Sequence, residues 1–532
     1  MTSVKEQIKV LVAQELCDAG IEALKTRGFE VSFQPKMTRQ ELLEQIGEYD
    51  ALIVRSSPMV DEPVYEKAKK MRVVGRAGNG VDNIEMAGAT KRGIMVVNTP
   101  DANSVSACEL TCGMIIAISR NLVRANNTIK SGTWARTIFQ GKELNTKTLG
   151  IIGLGRIGSL VATRMQSFGM KVIAYDPYIT DARFEKYNAE KKHTLHELLS
   201  EADIITVHTP KTEETFGMVG SEQLKYLKPG VRIVNCARGG IVSEETLKSG
   251  LESGLIAAAA CDVMVQEPCL DSPLYKFDNF IITPHIGANT DEAQENVGLT
   301  VAQEVAAALS GEMVPNAVNL PVLSPKGLSE LLPYMKLAEM LGKLYHQMEK
   351  QPIEKIEITY GGVPEELETE MLTLAVLRGV FEPVLKEQVN YVNAKLVADS
   401  RGIKVSEIKE SNGHKYTTIG INIYASGNKY NYVGGITGDM DLIITDINGF
   451  HFDLHPAEFM LVVENVDAPG MIGRMGMTLG EHDINIANMQ VARNALKKAA
   501  IMIMTVDSEI GAHQLKQISV IDGIRRASFI KL

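Results

Sequence analysis

Three short segments carry side chains suited to moving a hydride and a proton. They are Asn235-Cys236-Ala237-Arg238-Gly239-Gly240, the run from Asp262 to Glu267-Pro268, and Thr283-Pro284-His285-Ile286-Gly287. Each follows an apolar run of strand length, at 232–235, 257–261 and 280–282. In open α/β sheets ligands bind outside the carboxyl ends of strands, so Arg238, Glu267 and His285 are expected to converge on one cleft. Hydride transfer at a carbonyl needs a proton donor, a cation that holds and polarises the substrate, and a group that keeps the donor charged. His285 suits the first role. Arg238 suits the second, because a guanidinium grips a carboxylate through two parallel hydrogen bonds. Glu267 suits the third, since a nearby carboxylate favours the charged imidazole and fixes its tautomer. Taken singly, each has a plain reading: a strand cap, a solvated loop acid, a core histidine. Their joint placement at strand ends favours the catalytic one.

The elements that must position them begin with a phosphate-binding fingerprint, Gly153-Leu154-Gly155-Arg156-Ile157-Gly158. An apolar run at 149–152 precedes it, an amphipathic stretch at 159–168 follows, and Asp176 closes a second apolar run eighteen residues after Gly158. Gly153 permits the tight turn, Gly155 lets a pyrophosphate reach the backbone, and Gly158 lets the helix pack closely on the sheet. The helix N-terminus offers free N–H groups to phosphate. Asp176 can accept both ribose hydroxyls and would repel a 2′-phosphate, which favours NAD over NADP. The fingerprint begins about 150 residues into the chain, so a large unit precedes it.

A chain of 532 residues predicts three or four domains. With 45% hydrophobic and 23% charged residues it reads as globular. The net charge of −10 argues against nucleic acid and anionic lipid as partners. No apolar run reaches membrane-span length and no signal-peptide pattern opens the chain, so a cytoplasmic location is expected. The scattered cysteines fit reduced, mostly buried thiols. Cys108 and Cys112 would share a helix face, and His451 and His455 look like a pair in a turn-rich segment. Neither has the further ligands a metal requires, and none is expected.

The first hundred residues alternate short strands (10–13, 51–54, 73–74, 95–97) with helices (17–25, 83–91). They read as a doubly wound parallel α/β lobe. One long helix over 104–130 leads into a second such lobe, a Rossmann unit. A helix at 290–310 is predicted to return to the first lobe and close a cleft. The expected division is a discontinuous substrate-binding domain (1–100 and 290–320), an NAD-binding domain (101–289), an α+β intervening domain (321–453) entered through a proline-rich linker at 311–325, and a ferredoxin-like βαββαβ unit (457–532). In that last unit 459–463 reads as a strand, 465–470 as a loop and 471–481 as a helix.

These motifs resemble the D-isomer-specific 2-hydroxyacid dehydrogenases over about residues 5–315. The segments at 76–85 and 98–110, and Trp134 with Arg136, are similar to the phosphoglycerate dehydrogenase branch, whose long form adds an intervening and an ACT domain. The resemblance implies NAD-dependent oxidation of D-3-phosphoglycerate to 3-phosphohydroxypyruvate, the first step of L-serine formation. It implies a homo-oligomer, a dimer built on the nucleotide domains or a tetramer. It places cofactor contacts at Gly153, Gly155, Arg156, Ile157, Gly158, Asp176, Thr209, Cys236, Ala237, Arg238, Asp262, Gly287 and Ala288, with Asp262 facing the nicotinamide amide. It places the substrate's carboxylate and phosphate at Arg55, Ser56, Gly78 and Asn79, with Gly78 and Gly80 baring backbone N–H groups. Asn79 departs from the threonine common in relatives. For Arg136 the resemblance implies a phosphate contact, in its own or a neighbouring subunit's cleft, beside the plain reading of a surface arginine. The alternatives are a dehydrogenase of another 2-hydroxy acid, and an NAD-sensing corepressor on the same fold.

Asn465-Val466-Asp467-Ala468-Pro469-Gly470 resembles the ligand loop of ACT domains. The helix it opens could receive an amino-acid carboxylate, with Asn465 or Asp467 taking the ammonium or hydroxyl and Asn485 sitting across. The reading is feedback inhibition by L-serine at paired ACT domains; the alternative is a unit that only assembles the oligomer.

Overall fold

The computed structural model describes residues 7–312, 314–321, 325–362, 369–386, 389–410, 417–494 and 499–532. Met313 and residues 322–324 of the proline-rich linker lie outside them.

Two parallel sheets hold the cleft, as the alternating pattern predicts. The first has five strands in the spatial order Glu30–Phe33, Lys9–Val12, Ala51–Val54, Val73–Arg76 and Met95–Val97. The second has seven, in the order Phe280–Ile282, Ile256–Cys261, Val231–Asn235, Ile204–Val207, Thr148–Ile152, Lys171–Tyr175 and Glu190–Lys191. The strands Glu30–Phe33 and Glu190–Lys191 escape the sequence reading. Both are sheet edges, so neither needs the apolar run that marks a strand buried on two faces.

The helix Asp291–Leu309 lies on the first sheet. Its Val297, Val301, Val305 and Leu309 share a core with Val10, Val12, Ala51, Ile53 and Val73. Thr290 caps it by accepting from the Ala293 N–H at 3.2 Å, and is itself 2.8 Å from Ser106 Oγ. The approach to helix Asp18–Thr26 is close enough to forbid side chains. A Cβ on Gly20 would lie 2.6 Å from the Gly298 carbonyl oxygen, and one on Gly298 would lie 2.5 Å from Cys17 Sγ.

The helix expected over 104–130 is two helices, Ser104–Arg120 and Leu122–Lys130, bent by 65°. Asn121 between them is left-handed, with φ 53°. Asparagine tolerates that conformation and ends the first helix as glycine often does, without glycine's signal in the sequence. The helix expected from 83 starts at Met86. No single described helix is long and apolar enough to cross a membrane.

Beyond the linker, six mixed strands run in the order Lys404–Glu410, Ile353–Gly361, Thr417–Ala425, Asn428–Ile436, Leu442–Ile447 and Phe450–Leu454. His451 therefore sits in a strand, not a turn, with Nδ1 3.0 Å from Asp446 Oδ2. The helices Pro325–Met348 and Thr369–Leu385 cross on glycines: a Cβ on Gly379 would lie 2.1 Å from the Glu339 carbonyl oxygen. The last unit is an antiparallel sheet, Ile486–Asn494, Ala499–Val506, Phe459–Val466 and Ile524–Lys531, with the βαββαβ order foreseen. One of its faces shares a core with the six-stranded unit, through Met460, Val462, Ile501, Ile503 and Ile530. Across that junction Arg526 bonds to Glu349 Oε1 at 2.6 Å, and within its own sheet it bonds to Glu464.

A Gly20→Ala substitution should lower the thermal unfolding midpoint by several degrees, since overpacking of this kind costs about 1–3 kcal/mol. A calorimetric scan unchanged from the parent protein would contradict this helix contact.

Candidate active site

Strand order in the seven-stranded sheet reverses between Thr148–Ile152 and Ile204–Val207, and the glycine loop lies at that reversal. Gly153 has φ +91°, and a Cβ there would lie 2.8 Å from the His208 carbonyl oxygen. A Cβ on Gly158 would lie 2.1 Å from the Gly153 carbonyl oxygen. At Gly155 nothing lies within 4 Å, which leaves the open backbone a pyrophosphate needs. Asp176 is pinned beside the loop, its two oxygens accepting from the Leu154 N–H at 3.0 Å and the Tyr178 N–H at 3.1 Å. The buried Thr209 hydroxyl has no hydrogen-bond partner among the described residues. Open space at Gly155, an oriented acid and an unpaired hydroxyl fit a dinucleotide.

The other expected cofactor contacts have structural partners as well. Ile157 packs against the core beneath the loop. The Ala237 N–H donates to Asn235 Oδ1 at 3.0 Å. Cys236 Sγ touches Met114 Sδ at 3.4 Å, and burial pushes its thiol up to about 12, so it packs as a neutral group. The Ala288 carbonyl accepts from Gln294 Nε2 at 2.6 Å. Arg156 Nε lies 2.5 Å from Asp101 Oδ1, so the loop's cation has a carboxylate partner on the crossing from the first lobe. His208 lies behind the loop, where burial lowers it to about 3 and keeps it neutral beside Thr206 Oγ1 at 3.0 Å.

His285 and Glu267 meet. Nδ1 of the imidazole is 2.7 Å from Glu267 Oε2, while Glu267 Oε1 accepts from the Met264 N–H at 2.9 Å. This leaves Nε2 of His285 for a substrate. Burial alone would raise the Glu267 carboxyl, but the His285 and Met264 hydrogen bonds and the charges of His285 and Arg238 outweigh it and hold it low. The contact is therefore at full strength above the ordinary carboxylate range near 4.3 and is lost only as pH falls through that lowered value.

His285 is left-handed, with φ 55°, and Asp262 holds it so. Asp262 is 1% exposed. Its oxygens accept from Thr283 Oγ1 at 2.5 Å, the Ile286 N–H at 2.8 Å and the Gly287 N–H at 2.8 Å. The His285 N–H also reaches the Asp262 carbonyl at 2.9 Å. The nicotinamide role expected of Asp262 thus falls on a carboxylate already engaged on both oxygens, and holding the histidine turn is its first job.

Arg238 faces the first lobe, where the sequence reading is incomplete. Its Nε lies 3.4 Å from Asp82 Oδ2, and its Nη1 donates to the Ala237 carbonyl at 2.8 Å. Beside it stands Arg76, which that reading passed over. Its guanidinium is held down to about 10, first by burial and then by the charges of Arg238 and Arg55, against the opposing pull of Asp82. Among the described residues its one hydrogen bond is to the Ala77 carbonyl at 3.2 Å, and its buried Nε has no partner there. Arg55, at the strand-order switch of the first sheet, is also lowered by burial, with Glu15 opposing. Arg76 ends the strand Val73–Arg76, so the strand-end rule that picked out Arg238 applies equally to it.

At Gly78 and Gly80 the structure adds a second reason for glycine. A Cβ on Gly78 would lie 1.5 Å from Arg76 Nη1, and one on Gly80 would lie 2.1 Å from Arg238 Nη2. Their missing side chains make room for guanidinium groups. Asn79 is exposed, and its carbonyl accepts from Asn98 Nδ2 at 2.6 Å; Ser56 is exposed after Arg55. No hydrogen bond or ion pair among the described residues ties the exposed Arg136 side chain to this cluster.

The strand Phe459–Val466 runs further than expected, which takes Asn465 out of the loop and into the sheet. Asp467 pairs with Arg493 Nε at 3.4 Å, and Pro469 and Gly470 lead into the helix Met471–Glu481, with φ +86° at Gly470. Asn485 does not sit across from this loop. It bonds to Asp507 Oδ2 at 2.6 Å, at the sheet end where Ile486 pairs with Val506, while Val466 pairs with Ala499 at the other end. Antiparallel pairing separates the two by roughly 20 Å within one chain.

Asp262→Ala would strand three donors at roughly 1–3 kcal/mol each and release the turn. Turnover by this variant should fall on the order of 100-fold or more in steady-state kinetics; near-normal turnover would show that His285 keeps its place without Asp262.

Residues 112–287 match the family described as D-isomer specific 2-hydroxyacid dehydrogenase, NAD binding domain, and residues 330–448 match the D-3-phosphoglycerate dehydrogenase intervening domain. The chain is 40% identical over 525 residues to the D-3-phosphoglycerate dehydrogenase of Methanocaldococcus jannaschii, covering 99% of this chain and 100% of that one. It is 39% identical over 525 residues to that of Bacillus subtilis, covering 98% and 99%. Among solved structures, a glyoxylate reductase from Paecilomyes thermophila superposes with a TM-score of 0.55 at 28% identity, over 59% of this chain and 98% of that one. The D-lactate dehydrogenase from Aquifex aeolicus, complexed with NAD and lactic acid, gives 0.51 at 27% identity, over 57% and 96%. The chain belongs to the D-isomer-specific 2-hydroxyacid dehydrogenases, NAD-dependent oxidoreductases, on their D-3-phosphoglycerate dehydrogenase branch.

Proposed function

We propose that this chain oxidises D-3-phosphoglycerate to 3-phosphohydroxypyruvate, the first step of L-serine formation. The observation that carries the reading is the set of three arginines, Arg55, Arg76 and Arg238, gathered before the His285–Glu267 pair. A substrate bearing a carboxylate and a phosphate brings the charge such a cluster calls for, and a simple hydroxy acid does not. Arg238 grips the carboxylate and polarises the neighbouring carbon–oxygen bond. Nε2 of His285 takes the hydroxyl proton as the alcohol becomes a ketone. Glu267, on Nδ1, fixes the tautomer and stabilises the imidazolium that forms. Arg76 and Arg55 receive the phosphate end. NAD, when bound, supplies the acceptor for the hydride leaving the substrate carbon.

NADH formation across a panel of 2-hydroxy acids tests the substrate. D-3-Phosphoglycerate should lead, and no turnover with it would reject this function. His285→Ala should abolish turnover while NADH still binds by fluorescence titration. Glu267→Gln should lower kcat on the order of tenfold to 100-fold without abolishing it.

The same reading extends to an oligomer regulated by L-serine. Asn465 is 2% exposed and its Oδ1 has no partner among the described residues, beside the start of the helix Met471–Glu481. Asn485 can complete such a site only from a second copy, given its distance within one chain. Ile472 and Met477 on that helix, and Trp134 at 86% exposure with Ile138 on the segment after Lys130, are apolar surfaces a partner subunit would cover. Millimolar L-serine should slow the steady-state rate; a rate indifferent to serine would leave the terminal unit with assembly alone.

A further inference from the structure

The Asp82–Arg238 contact spans the cleft. Arg238 stands at the end of a strand of the seven-stranded sheet, and Asp82 follows the Gly78–Gly80 loop of the five-stranded one. The contact is built rather than incidental. A Cβ on Gly80 would lie 2.1 Å from Arg238 Nη2 and 2.5 Å from Asp82 Oδ2, so the loop gives up a side chain to let the pair form. The Asp82 charge also acts on Arg76 and opposes the repulsion from Arg55 and Arg238. A substrate's carboxylate must therefore contend with Asp82 for the same guanidinium. A parallel contact stands at the cofactor loop, where Asp101 holds Arg156 at 2.5 Å.

We propose, resting on the function proposed above, that Asp82 is an internal stand-in for the substrate's carboxylate. It is a positioning residue: it holds Arg238 across the cleft, and the guanidinium passes from Asp82 to the substrate as the substrate seats and back as the product leaves. Arg238 then exchanges one carboxylate for another and is never a bare cation. The exchange weakens ground-state binding and keeps the guanidinium oriented toward His285.

Asp82→Asn keeps the shape and removes the charge. Its KM for D-3-phosphoglycerate should fall about threefold to fivefold, the scale of a half-exposed ion pair, while kcat does not rise. Asp82→Glu should return KM toward the parent value. A purely structural role predicts the opposite, a raised KM from a disordered Arg238. An unchanged or raised KM in Asp82→Asn overturns the proposal. A second arm uses tartronate, an unreactive hydroxy-dicarboxylate, in the presence of NADH. The rise it causes in the thermal unfolding midpoint should be larger for Asp82→Asn than for the parent protein, and an equal or smaller rise also overturns the proposal. This arm needs no turnover. If the parent enzyme ignores D-3-phosphoglycerate, the function fails on that assay, while the role of Asp82 is still decided by the tartronate shift.

Discussion

The site depends on one buried carboxylate. Asp262 follows the strand Ile256–Cys261 in the second position of the seven-stranded sheet, so the sheet fixes its place. Three donors from the following turn converge on it, and the turn puts His285 in a left-handed conformation. That conformation costs roughly 1–2 kcal/mol for a residue with a Cβ. Each hydrogen bond to a charged group returns about 1.5–3 kcal/mol, so three of them outweigh the strain. The imidazole then projects where Nδ1 meets Glu267 and Nε2 faces the cleft. The Glu267 contact thus depends on the ring position that Asp262 sets.

Across the cleft the governing fact is positive charge held out of water. Arg76 is the extreme case, its guanidinium largely buried with one hydrogen bond among the described residues. Burial and like charges both disfavour it, and Asp82 is the carboxylate that opposes them. The glycines at 78 and 80 belong to the same arrangement, because any side chain there would collide with a guanidinium. Loop, charge and lobe contact form one unit, with the strand ends supplying the arginines and the loop supplying the space.

Among the described residues, two contacts join the intervening unit to the first lobe. Asn390 Nδ2 donates to the Gly93 carbonyl at 2.7 Å, and Leu320 packs against both the first lobe's core and the intervening one. Gly93 precedes the strand Met95–Val97, which leads to Asn98 and its bond to Asn79. The intervening unit and the terminal sheet, by contrast, share a single core.

By itself the sequence determined the local terms. Apolar runs of strand length located the inner strands of both parallel sheets, and glycine spacing located the phosphate loop, because those constraints act within a few residues. The candidate site residues Arg238, Glu267 and His285 were legible for the same reason: each follows the end of a strand, and strand ends share one rim. Tertiary structure decided what depends on neighbours distant in the chain. The edge strands Glu30–Phe33 and Glu190–Lys191 lacked an apolar signature. The bend at Asn121 turned on a left-handed residue other than glycine. That the guanidiniums of Arg76 and Arg238 fill the space beside Gly78 and Gly80 was not visible in their spacing. Asn485 read as facing the loop at Asp467 until antiparallel pairing placed it at the other end of the sheet. The three donors on Asp262, which tie the His285 turn to it, come from residues more than twenty positions away. Spacing along a chain fixes which side chains share a rim; which of them touch, and so which charge opposes which, is set only when the sheets are stacked.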